Sequence, residues 1–396
     1  MKKFFSTRLS GPLPSFAATP VILVLHALSA APATARAQET TVLTEDLCTT
    51  CSIEITPDVV LGNDGESVIA VALDIQRLSD GRFVMAFDYP VPHEFTVFSA
   101  DGAEFRRVGR AGEGPGEYAH VWLVREHNDE LHVFDRRRRR MTVLDLDFEV
   151  LRTMPVGGST TWDGRDMVVL PGGSVAMDFD VPRGGYSQYT TIEALRAAES
   201  WHVVHILGED GQIRFSMDET RRNEGLTSFR QLEIAPDGSL LSARQLEYRI
   251  DRWDPATGEL LETIVRDADW WPEDNGMRIA RPDMPPVTSV SDMQVDDAGR
   301  MWLYINRPAP DWRDHLERTE PHPEWPAGGY RYGPGASESV IEVVDIESGR
   351  VLVSQMVDMP PAPRTRFFAP GWLAVYDEER IVPKYRMYRV GLAGLD

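Results

Sequence analysis

A short turn signal recurs through most of this chain, and it constrains the fold more than any other feature. Asp80-Gly81, Asn128-Asp129, Gly172-Gly173, Asp237-Gly238, Asp297-Ala298-Gly299 and Pro370-Gly371 each lie between two short apolar runs. A second series falls between the first: Asp101-Gly102, the 145–147 stretch, Asp210-Gly211, Thr257-Gly258 and Ser348-Gly349. Gly, Asn and Asp reach the positive φ angles that tight hairpins demand, so such pairs between alternating residues mark β-hairpins. Two hairpins per unit give four strands per unit, and the pattern predicts six units. Short strands at this period point to an all-β chain, a six-bladed β-propeller of four-stranded antiparallel blades. A β-sandwich does not require six copies of one turn pattern. One helix is expected at 191–198, where Thr190 and Glu193 have the spacing of a capping box.

The ends of the chain suggest how the ring closes. After Pro370-Gly371 only two strands fit, near 372–376 and 385–390, so the last blade lacks its outer strand. Residues 52–61 form an extra strand ahead of the first blade. Pairing it with the last blade completes the ring and removes exposed sheet edges.

The segment Arg110-Ala111-Gly112-Glu113-Gly114-Pro115-Gly116-Glu117-Tyr118 resembles the G-R-x-G-x-G-P-G-E-[FY] signature of bacterial secreted six-bladed β-propellers related to NHL-repeat propellers. An N-terminal C-x-x-C is also a feature of that group. The resemblance implies the fold. Most members have no assigned activity, so it implies no function.

Residues 1–37 read as a signal peptide. Lys2, Lys3 and Arg8 precede an apolar run over 15–28, and Ala35-Arg36-Ala37 offers a cleavage site before Gln38. The expected mature protein is a single domain over 38–396, periplasmic or secreted and not inserted in a membrane. Four basic residues leave with the presequence, which takes the formal net charge from -21 to -25. A surface this acidic repels nucleic acid and anionic lipid. Cys48 and Cys51, the only cysteines, are expected to form a local disulfide after export. Ser52 in place of His excludes a c-type haem attachment, and a four-cysteine zinc site lacks its second pair.

Both turn series belong on one face of the disc. The opposite face receives the long connections: 180–200 and 306–338 within blades, and 108–120, 217–227 and 266–288 between them. Long connections in a compact fold tend to carry function, so the site is expected there, near the central channel. Four groups are candidates. The glycine-rich loop, with Arg110, Glu117 and His120 at its edges, either offers backbone N–H groups to an anion or serves as a fixed crossover. The run 136–140, with Arg137 and Arg139 foremost, either binds a planar anion or pairs with neighbouring acids. Trp270, Trp312, His315, Trp325 and Tyr330 form either a stacking surface or the loops' own core. The histidines lack the close spacing of a zinc motif, so neither a metal nor a cofactor is assigned.

No nucleophile motif is present. The sequence therefore reads as an exported binding module, expected to be monomeric. Its partner is a small-molecule, peptide or glycan ligand or an envelope protein, not nucleic acid. The alternative is a hydrolase or lyase with its site at the channel mouth.

Overall fold

The computed structural model describes residues 39–62, 67, 70–88, 91–157, 165–182, 200–221, 229–272, 280–320, 329–377 and 383–395. The expected signal peptide, the 191–198 helix and Trp325 lie outside them. Gln38–Asp396 form one compact unit.

That unit is a six-bladed propeller. Each blade is a four-stranded antiparallel sheet, and the inner strands are Ala72–Arg77, Val121–His127, Met167–Val169, Arg230–Ile234, Ser289–Val295 and Thr365–Ala369. Every expected hairpin is present, and its turn holds a residue at positive φ, Gly81 (92°), Gly238 (84°) and Gly371 (74°) among them. Where glycine is missing, Asn128 (51°) and Asp129 (61°) take the left-handed conformation that short polar side chains tolerate. Turn aspartates secure these hairpins by accepting backbone N–H groups, as Asp101 does from Ala103 (3.1 Å) and Asp237 from Ser239 (3.1 Å).

Apolar side chains alternate to both faces of each blade, so each interface between blades is an apolar layer. Six core clusters result, one per interface. The cluster joining blade six to blade one contains Leu61, Phe83, Phe87, Trp372 and Met387. Closure follows the sequence expectation: Ser52–Leu61 pairs antiparallel with Lys384–Ala393 as the outer strand of blade six, in a register from Ser52–Ala393 to Leu61–Tyr385.

The structure adds a feature that the sequence did not reveal. Ahead of the closing strand, Glu39–Val42 pairs in parallel with the outer strand of blade four, and Thr44–Glu45 with that of blade five. The N-terminal segment thus runs along the rim of three successive blades. Leu43 joins the core between blades four and five. From the same segment Glu45 accepts a hydrogen bond from Arg266, which also pairs with the buried Glu342 of blade five. Cys48 and Cys51 are joined by a disulfide between the second and third of these rim strands.

Candidate functional site

The inner strands enclose a central cavity of about 1070 Å³ to which all six blades contribute. On the long-loop side its wall is completed by Asp88, Gln245, Asn306, Tyr332 and Pro361-Ala362-Pro363. Tyr332 belongs to the blade-five insertion, where a 3₁₀ turn at Trp312–His315 leads into a hairpin of Leu316–Thr319 and Gly329–Tyr332. Its hydroxyl donates to the Met284 carbonyl (2.8 Å), which ties the hairpin to the connection between blades four and five.

The cavity wall carries Asp88, Glu126, His127 and Arg165, and with them a ring of six acidic or basic side chains taken one from each blade. In blade order the six are Asp74, Arg125, Asp166, Glu233, Asp292 and Arg366. The three aspartates have a shared structural task. Each accepts a backbone N–H from the inner strand of the next blade: Asp74 from Val124 (2.7 Å), Asp166 from Leu232 (2.8 Å) and Asp292 from Phe367. Arg125 then donates to both Asp74 and Asp166. Burial opposes its charge, but the two carboxylates outweigh that cost and hold the guanidinium above its ordinary pKa. Arg366 donates to the Leu73 carbonyl (2.8 Å) and lies 3.8 Å from Asp74.

Blade four departs from this pairing. Glu233 stands between Asp166 and Asp292, where a third arginine would have balanced the ring. Burial, reinforced by the Asp166 charge, raises its pKa to about 8. Burial likewise raises Asp292 to about 7, against the opposing pull of Arg366. Near neutral pH the cavity therefore holds acidic groups that exchange protons.

Among the described residues, none of the sequence candidates lines this cavity. Arg110 instead pairs with Glu117 (2.8 Å), and the other oxygen of Glu117 accepts the Gly114 N–H (2.8 Å). The anion cradle of the glycine-rich loop is thus occupied by the loop's own carboxylate. The Gly114 N–H and Arg110 lower the pKa of Glu117. His120 contacts Asp88 (3.1 Å) and meets Trp122 edge-on, with burial depressing its pKa. In the arginine run Arg137 and Arg139 are exposed, and Arg138 lies near Asp135 (3.7 Å) and Glu113 (3.6 Å). Arg136 covers the Trp122 ring, and Arg140 donates to the Glu113 and Glu117 carbonyls.

The aromatic candidates are spread apart. Trp270 packs beside Trp271 under Arg266 and Arg307. Trp312 is buried against Tyr332, His315 lies 3.5 Å from Asp311, and Tyr330 is exposed.

No family model matches the chain, and no curated protein matches it in sequence. Its fold is shared. A member of the DUF4221 family from Bacteroides vulgatus, 9% identical, superposes over 87% of this chain and 99% of its own with a TM-score of 0.56. A Bacteroides fragilis protein described as exported, 10% identical, covers 90% of this chain and 99% of its own at a TM-score of 0.52. A virginiamycin B lyase from Staphylococcus aureus is 9% identical, with 86% and 99% of the two chains covered and a TM-score of 0.44. At these identities the likeness extends to the fold alone. No helix among the described residues is long and apolar enough to cross a membrane.

Proposed function

We propose that this protein is an exported binding module whose small, polar ligand sits in the central cavity rather than on the loops around it. The observation that carries this reading is the cavity itself. Its volume of about 1070 Å³ suits a small organic ligand, and its wall mixes apolar strand residues with many polar and charged groups held on the strands. Six inner strands locked by inter-blade hydrogen bonds hold those groups rigidly, which lowers the ordering cost of binding. The long connections frame the entrance, and Tyr332 is their contribution to the wall. Export fits the name of the Bacteroides fragilis neighbour and the basic-then-apolar start of the sequence.

One observation favours a second reading. Glu233 carries a proton near neutral pH in a cavity large enough for a substrate, as a general acid does. A hydrolase or lyase would turn its ligand over, which product analysis of any bound compound detects.

The test is a thermal-shift screen of small polar metabolites, followed by titration calorimetry of the hits on two kinds of variant. Val71→Trp and Val287→Trp narrow the cavity where the inner strands of blades one and five begin. Arg137→Ala and Tyr330→Ala remove exposed loop groups. The cavity reading expects a loss of roughly tenfold or more in the tryptophan variants and little change in the loop variants. The reverse pattern would place the site on the loops.

A further inference from the structure

We infer that the cavity takes a cationic ligand, an organic amine carrying a second polar group, with Glu233 and Asp292 as its charge partners and Gln294 as its polar contact. This rests on the cavity being the ligand site, and the two ideas can fail separately.

The first support is the charge order of the ring. Its four carboxyl groups face two guanidinium groups, Arg125 and Arg366, whose ion pairs are with Asp74 and Asp166. Arg366 acts on Asp292 from beyond ion-pair distance, and Arg165 of the cavity wall lies against Asp178 and Asp180. The charged groups that act on Glu233 are Asp166 from blade three, Arg125 from blade two and Asp292 from blade five. The one hydrogen bond of the Glu233 carboxylate among the described residues is accepted from the Ile234 N–H, at 3.3 Å. The negative excess of the ring therefore collects at Glu233 and Asp292. Without a ligand the protein lowers that cost by retaining protons there. An ammonium group brings the missing positive charge and lets the protons leave.

The second support is independent of charge. Gln294 lies two residues beyond Asp292 on the same strand and lines the same cavity, with 3% of its surface exposed. Neither its amide nitrogen nor its amide oxygen has a hydrogen-bond partner among the described residues. A buried amide left without partners is costly and rare, and binding sites are one place where that cost is kept. A ligand bearing a hydroxyl or amide beside its amine satisfies both groups at once.

A bare metal ion fits less well. Among the described residues no three acidic, histidine or cysteine side chains converge as an ion's coordination shell requires. The cavity is also far larger than an ion needs.

The experiment is calorimetry on the mature chain with spermidine and 4-aminobutanol as probes and adipate as an anionic control. It is run from pH 6 to 8 in buffers of different ionisation enthalpy. The expected result is binding of the amines but not of adipate, with proton release and an affinity that rises with pH. Glu233→Gln should weaken amine binding by roughly tenfold or more and reduce proton release to the share of Asp292. Gln294→Leu, close in volume, should weaken 4-aminobutanol more than spermidine. Amine binding that is equal in wild type and Glu233→Gln overturns the inference, as does the failure of both amines to bind. If adipate or a neutral sugar binds instead and Val71→Trp blocks it, the inference fails and the cavity reading stands. Amine binding untouched by Val71→Trp and Val287→Trp overturns both.

Discussion

Arg125 of blade two donates a 2.7 Å hydrogen bond to Asp166 of blade three while its other terminal nitrogen reaches Asp74 of blade one. One guanidinium therefore joins three blades, and each carboxylate it holds also anchors the strand of the next blade. Replacing it with methionine would preserve most of the packing but leave buried Asp166 without its cation and Asp74 with Arg366 alone, at 3.8 Å. Removing one member of a buried ion pair costs about 3–5 kcal/mol. Arg125→Met should lower stability by that order, as read by urea denaturation. A loss below about 1 kcal/mol would mean that water already screens this pair.

Glu233 gives the opposite expectation. Its pKa rises from 4.5 to about 8 on folding, through burial first and Asp166 second. The folded state then holds the proton more tightly than the unfolded chain. This contribution is fully present below pH 4.5 and is lost as the pH rises through about 8. Glu233→Gln, a permanent neutral copy, should change the melting temperature little at pH 5 and raise it at pH 9 by roughly 2 °C or more. Equal shifts at the two pH values would show that Glu233 titrates normally.

Much of the fold was legible because tight turns accept few residue types. Gly81, Gly238 and Gly371 stand where φ is positive, and the count of such turns gave the blade number. The closing strand was legible because blade six was a strand short. The rim strands Glu39–Val42 and Thr44–Glu45 were not. They are short and mostly exposed, which leaves no apolar alternation to read.

The site was less legible for a related reason. Arginine runs and tryptophans draw attention by composition, whereas Asp74, Glu233 and Asp292 are single acids inside strands. A signal was present nonetheless. Asp74, Asp166 and Asp292 precede Gly81, Gly173 and Gly299 by the same interval, and Glu233 and Arg366 share another before Gly238 and Gly371. Aligning the repeats on their turns would have exposed the ring.

The glycine-rich loop yields a coupling prediction. A methyl group at Gly112 would overlap the Glu117 carboxylate, and one at Gly114 would come within 3.2 Å of it. Gly112→Ala should therefore destabilise the protein by about 1–3 kcal/mol, as overpacking does. In the Glu117→Ala background the same change should cost far less. A double-mutant cycle on denaturation midpoints measures the difference. Additive effects would mean that Gly112 is needed for its backbone alone.

The N-terminal segment should stabilise the fold in two unequal steps. Deleting residues 38–45 removes the rim strands of blades four and five, together with Leu43 and the Glu45–Arg266 pair. Deleting 38–61 also removes the outer strand of blade six and opens the ring. Thermal melts should show a modest fall for the first deletion and a much larger one for the second. Equal falls would show that the rim strands, not ring closure, dominate.

A crystal structure of the protein with its tightest-binding hit would place the ligand. Ligand density is expected inside the ring, within hydrogen-bonding distance of Glu233 or Asp292, with loop side chains such as Arg137 and Tyr330 unchanged. Density on the outer loops at Arg137, Arg139 or Trp312, with the cavity walls undisturbed, would contradict that placement.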